Sequence, residues 1–84
     1  MRQRPEHEAP ATKEELVEYL RCECGDDSIS VDDLVFAGCA RPRQVDGYAW
    51  YWRFTSKGRT LYGYVCTMLD GDTMLGMDNR IPAD

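Results

Sequence analysis

The chain is poor in the residues that catalysis draws on most. Its one histidine, His7, sits in the opening stretch "MRQRPEHEAP" beside two prolines, where nothing is expected to hold a general base in position. It has no Gly-rich phosphate loop: Gly58, Gly63, Gly71 and Gly76 fall in or between strand-like segments and read as turns or small-residue contacts. "DGDTMLGMD" lacks the spaced oxygen ligands and closing Glu of a calcium-binding EF-hand loop. There is no apolar run near the ~20 residues that a membrane helix needs, and the N-terminal stretch has none that could serve as a signal peptide. These absences place the chain in the cytoplasm, with no membrane partner. A basic excess is also missing. The net charge is -5, whereas nucleic-acid binders present a basic footprint.

Four cysteines, Cys22, Cys24, Cys39 and Cys66, could form two disulfides or one metal site. A reducing compartment argues against the first. Against the second, zinc ligands come as two close pairs, whereas here one Cys-x-Cys accompanies two solitary cysteines. On a helix Cys22 and Cys24 point about 200° apart, given 3.6 residues per turn. They are read as small buried thiols, and neither a metal nor a cofactor is expected.

What is present is the material of one small domain. Residues 1–11 have alternating charges and little apolar content, which reads as a mobile tail that adds little to a core. Residues 12–84 read as a single α+β domain. In "TKEELVEYLRCECG" Thr12 and Glu15 have the spacing of a capping box, and Gly25 supplies a left-handed stop. Leu16, Val17, Leu20 and Cys24 share one face of that helix, with Tyr19 beside them. In "DDSISVDDLVFAGCARPRQ" Ser30 and Asp33 allow a short helix over 31–37, and the alternative is an edge strand over 34–40; the reading taken is a short helix or turn at 31–34 feeding a strand near 35–40.

From residue 45 the apolar period becomes two. "GYAWYWRFT" holds five aromatic residues in nine positions, followed by strands over 60–69 and 73–77. Asp70-Gly71 signals a two-residue hairpin turn. "SKG" reads as a three-residue loop in which Gly58 alone is left-handed, since Lys tolerates positive φ poorly. That pair of loops sets Thr55 opposite Arg59, Trp52 opposite Tyr62, Trp50 opposite Tyr64, Tyr48 opposite Cys66, Tyr64 opposite Met77 and Cys66 opposite Leu75. One face then collects Tyr48, Trp50, Trp52, Phe54, Tyr62, Tyr64, Cys66, Met68, Leu75 and Met77 as the core beneath the helix. The other carries Ala49, Tyr51, Arg53, Leu61, Gly63, Val65, Thr67, Leu69 and Met74, a mixed surface suited to association.

The charges are segregated. Glu14, Glu15, Glu18, Glu23, Asp26, Asp27, Asp32 and Asp33 against Lys13 and Arg21 make residues 9–39 net -6, while Arg41, Arg43, Arg53, Lys57 and Arg59 against Asp46 make residues 40–69 net +4. Cys39 near Arg41 and Arg43 could be an activated thiolate, but no base or oxyanion site accompanies it.

The stretch "WRFTSKGRTLYGYVCTMLDGD", about a quarter of the chain, resembles the C-terminal meander of bacterial type II toxin ribonucleases. The resemblance implies a short strand, a Gly turn, an aromatic strand and an Asp-Gly turn in succession. Such toxins are basic and carry Lys, Arg, Glu or His at the sheet's end; here "TMLGMDNR" offers Asp78 and Arg80, so toxin-like ribonuclease activity stands as a second alternative.

The expected architecture is α+β, one N-terminal helix packed on a three- to four-stranded antiparallel meander sheet. The expected role is a small non-catalytic protein-binding factor of inhibitor or adaptor type, of the kind bacterial accessory genes, mobile elements or phages supply. Its partner would be another protein or itself, as a homodimer, through Tyr51, Arg53, Leu61, Val65, Leu69 and Met74. The first alternative is a single-stranded nucleic-acid-binding module using Arg41, Arg43, Arg53, Lys57 and Arg59 with the sheet's aromatics.

Overall fold

A computed structural model describes residues 5–41, 47–67 and 71–81. One helix, α1 (Lys13–Cys24), lies on a four-stranded antiparallel sheet formed by β1 (Val35–Ala40), β2 (Ala49–Ser56), β3 (Arg59–Thr67) and β4 (Thr73–Asp78), in the spatial order β1-β2-β3-β4. This is the expected α+β meander. The expected boundaries of α1 hold because its ends are chemically specified. The Thr12 hydroxyl accepts from the Glu15 amide at 3.2 Å, the Glu15 carboxylate accepts from the Thr12 amide at 3.1 Å, and Gly25 closes the helix at φ 60. A 3₁₀ turn at Val31–Asp33, with Ser30 and Asp33 in a reciprocal cap, leads into β1 as expected.

The register differs from the expected one. Lys57 joins Gly58 in the left-handed region, at φ 52 and φ 76, so the first hairpin turn has two residues and Ser56 pairs with Arg59. Trp52 therefore stands opposite Gly63 and Trp50 opposite Val65. The second hairpin is also displaced by one: Tyr64 pairs with Gly76 and Cys66 with Met74. Asp70, and with it the expected Asp70-Gly71 turn, lies outside the described residues; the last described pair before the loop is Thr67 with Thr73.

Two interactions oppose the conformational preference of Lys57. Its ammonium donates to the Cys24 carbonyl at 3.1 Å, at the end of α1 where exposed carbonyls favour a cation. The packing of α1 on β3 matters more. A Cβ on Gly63 would lie 2.8 Å from Leu20 Cδ1 and 3.3 Å from Leu16 Cδ2, so α1 rests directly on the Gly63 backbone. The expected register would push Tyr62 and Tyr64 into that gap.

The core beneath α1 consequently contains Leu16, Val17, Leu20, Trp50, Trp52, Phe54, Leu61 and Val65, with Phe36, Leu75 and Met77 packed at its edge. Trp50 and Trp52 are 4 % and 1 % exposed, so the β2 stripe faces inward as expected. Tyr62, Tyr64 and Cys66 do not join it. The two slips cancel at β4, where Leu75 and Met77 face the core and Met74 the opposite side.

Residues 5–11, expected to trail away, pack against this core. Trp50 Nε1 donates to the Pro5 carbonyl at 3.1 Å and Trp52 Nε1 to Glu6 Oε2 at 2.6 Å, while Lys13 Nζ lies 3.2 Å from the same carboxylate oxygen. The Trp52 hydrogen bond, opposed by partial burial and helped by Lys13, holds the Glu6 carboxyl below its ordinary value. Two buried indoles need acceptors, and this segment supplies them; Ala9 and Ala11 follow it onto the core.

Asp26 joins the loop after α1 to the end of β2. Its carboxylate accepts from the Ser28 amide at 3.0 Å, the Ser28 hydroxyl at 2.5 Å and the buried Ser56 hydroxyl at 2.6 Å. These bonds, those from Ser28 first, lower its pKa from 3.8 to about 2. A depressed carboxyl contributes stability that is complete above its unfolded value and lost as pH falls through its folded one. The thermal-stability advantage of the wild type over Asp26→Asn is thus expected to hold above about pH 5 and to shrink between about pH 4 and 2. An advantage constant down to pH 2 in paired melting curves would contradict the assignment.

Candidate functional site

Because α1 is the one α-helix among the described residues, it covers one side of the sheet and leaves the other to the strands themselves. Pairing arranges that open side as rows crossing β1 to β4. The first is Val35, Arg53, Tyr62 and Asp78; the second is Gly38, Tyr51, Tyr64 and Gly76; the third is Ala40, Ala49, Cys66 and Met74. A bulge between Phe36 and Gly38 keeps β1 in step with β2.

The rows differ in character. In the first, Arg53 and Asp78 are exposed at either side of half-buried Tyr62, and Val35 is 50 % exposed. In the second, the Tyr51 and Tyr64 rings meet at a centroid separation of 5.4 Å. Tyr64 lies across β4, such that a Cβ on Gly76 would fall inside its ring. The glycine is there because the ring takes the space a side chain would need. Tyr51 is 2 % exposed, packed with Ala40, Ala49 and Cys66, with Tyr62, Tyr64, Met74 and Ile81 around them. The open side is a second, thin core with a half-exposed tyrosine surface.

Its titratable groups are held toward their neutral forms. Burial, followed by the neighbouring Tyr64, raises the Tyr51 phenol far above its ordinary value; burial likewise leads the rise at Tyr64, and it raises the Cys66 thiol. A nucleophile or base requires the opposite shift, toward the charged form near neutrality.

Of the expected partner-binding residues, Tyr51, Arg53 and Met74 are on this side. Leu61 and Val65 are buried beneath α1 in the main core, a correction that follows directly from the two-residue Lys57-Gly58 turn, since a slip of one exchanges the faces of a strand. Leu69 lies outside the described residues. Tyr62, Tyr64 and Asp78 take the vacated places. The signal for them was Gly63, a lone glycine flanked by tyrosines, which marks a close backbone approach and hence the inward side of β3.

The basic residues do not form a single stripe. Arg53 is on the open side, whereas Lys57 and Arg59 line a cleft of about 260 Å³ on the helix side with Cys24, Leu61 and Met77. Arg41 lies over the Tyr48 ring at 5.6 Å, at the other end of β2, roughly 25 Å away at ~3.3 Å per residue. Arg43 is outside the described residues. Asp78 and Arg80, the pair available to a toxin-like nuclease, are both exposed.

A further cleft of about 400 Å³ lies between residues 6–13 and the core, lined by Glu6, His7, Lys13, Glu15 and Trp52 among others. Its carboxylates are engaged in structure, Glu6 by Trp52 and Lys13 and Glu15 by the Thr12 amide. The cysteines are not joined in disulfides: Cys22 is exposed, Cys39 and Cys66 are buried, and Cys24 Sγ lies 3.3 Å from Met77 Sδ. No group of three or more His, Cys, Asp or Glu side chains suited to a metal ion occurs among the described residues, and no helix there is long and apolar enough to cross a membrane.

No known protein family, curated protein or solved structure matches the chain.

Proposed function

We propose that the chain is a small non-catalytic protein-binding factor, of inhibitor or adaptor type, that engages its partner through the open side of the sheet. The observation that carries this reading is the row of Val35, Arg53, Tyr62 and Asp78 beside Tyr64, an aromatic and apolar patch rimmed by both signs of charge. Tyr and Arg are enriched in protein interfaces, where a large rigid ring supplies contact area at little entropic cost. A photoreactive amino acid at position 62, compared in cells with one at Glu18 on the exposed side of α1, tests it. A discrete protein adduct from position 62 and none from position 18 is the expected result; equal labelling, or none at either site, removes the reading.

A second reading, stacking of single-stranded nucleic acid, gains from Tyr62 and Tyr64 standing beside Arg53. Against it are the net charge of -5, which repels a polyanion at long range, Asp78 in the same row, and the cover over Tyr51. Titration of labelled single-stranded RNA decides: tight binding at low salt that disappears at high salt would put this reading in place of the first.

A further inference from the structure

The first row of the open side is its own complement. Arg53 and Asp78 are the register neighbours of Tyr62 on either side, so opposite charges sit one strand spacing to the left and right of a central ring. A two-fold axis laid along β3, between two such faces, keeps each row opposite itself and exchanges β2 with β4. Arg53 of each copy then meets Asp78 of the other, twice, around a Tyr62–Tyr62 contact. In the second row the Tyr64 ring already covers Gly76 of its own chain and Tyr51 is buried, so this row meets its mate through Tyr64; in the third the same operation sets Ala49 opposite Met74. Isologous contacts require that what projects on one strand be matched on its symmetry mate, and the charges of the first row satisfy this about the axis.

We propose that the partner of this face is a second copy of the chain, packed sheet to sheet about a two-fold axis along β3 and held in register by reciprocal Arg53–Asp78 pairs; this rests on reading the open side as a protein-binding surface. Aligned sheet packing tolerates the angle of about 30° that strand twist imposes. With the axis along β3 the overlap runs from β2 to β4, and at ~4.8 Å between strands and ~3.3 Å per residue it spans roughly 14 by 20 Å, below the standard interface size. The dimer is therefore weak and concentration-dependent, with the charge pairs fixing orientation more than affinity.

Sedimentation equilibrium of the whole chain, from about 1 µM to about 1 mM, tests it with the variants Arg53→Asp and Asp78→Arg. Each variant alone sets like charges against each other twice and is expected to weaken self-association by at least about ten-fold. An equimolar mixture of the two restores both pairs and is expected to recover wild-type association. That recovery also shows that both variants are folded. A wild-type dimer unaffected by either reversal, or variants that are not rescued by mixing, would overturn the proposal, since the dimer then uses another surface. A wild type that stays monomeric to about 1 mM overturns it too. In that case an adduct between position 62 and a different protein would leave the protein-binding reading standing, while absence of any adduct would remove both.

Discussion

Replacing Trp52 with alanine is expected to lower folding stability by about 3–5 kcal/mol, the range for deleting a buried large aromatic. The side chain is 1 % exposed, its ring lies 5.5 Å from that of Phe36, and its indole N–H binds Glu6. A domain of this length has roughly 4–13 kcal/mol in total, at ~0.05–0.15 kcal/mol per residue, so the loss is a large share of the total and would unfold a domain at the low end of that range. Urea denaturation followed by circular dichroism measures the loss. Trp52→Phe separates the two contributions: it keeps most of the apolar contact, removes the donor, and should cost less than half as much. Hydrogen exchange in that variant should rise more at residues 6–9 than in β3, where only the global loss of stability acts. A Trp52→Ala loss under about 1 kcal/mol would mean that the indole is not the centre of the core.

The second large effect concerns the contact of α1 with Gly63. Leu20→Ala alone should cost about 2–5 kcal/mol, because Leu20 is fully buried and leaves a cavity. Gly63→Ala alone should cost about 1–3 kcal/mol, because its methyl would sit 2.8 Å from Leu20 Cδ1 and 3.2 Å from Leu20 Cδ2, and overpacking forces a rotamer or the helix to move. The double variant should be more stable than the sum of the two losses implies, by at least about 1 kcal/mol, since the added methyl fills space the missing isobutyl vacates. Strict additivity in a double-mutant cycle by chemical denaturation would place the two residues apart and would undo the register on which the open face depends.

Local chemistry made much of the molecule legible. Thr12, Glu15 and Gly25 specify both ends of α1 through bonds within a few residues of each other, and Leu16, Val17 and Leu20 recur at helical spacing, so nothing distant was needed to find that helix or its buried side. Trp50, Trp52 and Phe54 alternate with more polar neighbours, which identified the inward side of β2. The candidate face was half legible. Tyr51, Arg53 and Met74 were placed on it correctly, but Leu61 and Val65 were exchanged with Tyr62 and Tyr64, because β3 inherits its orientation from a turn. The packed position of residues 5–11 was not visible either. Proline and charge in that stretch describe a chain with no core of its own, and say nothing about acceptors wanted by two indoles more than forty residues away.

The amino-acid sequence by itself determined the meander, its helix and the inward stripe of β2, since each follows from propensity, capping and periodicity acting within a single element. Only the tertiary structure decided the orientation of β3, and with it which residues the open face presents. Whether Lys57 takes a left-handed backbone is a matter of roughly 1–2 kcal/mol, and the local preference of lysine points the wrong way. Seating Leu16 and Leu20 on a strand that has no side chain at Gly63 outweighs that preference, and this gain exists only once helix and sheet have come together.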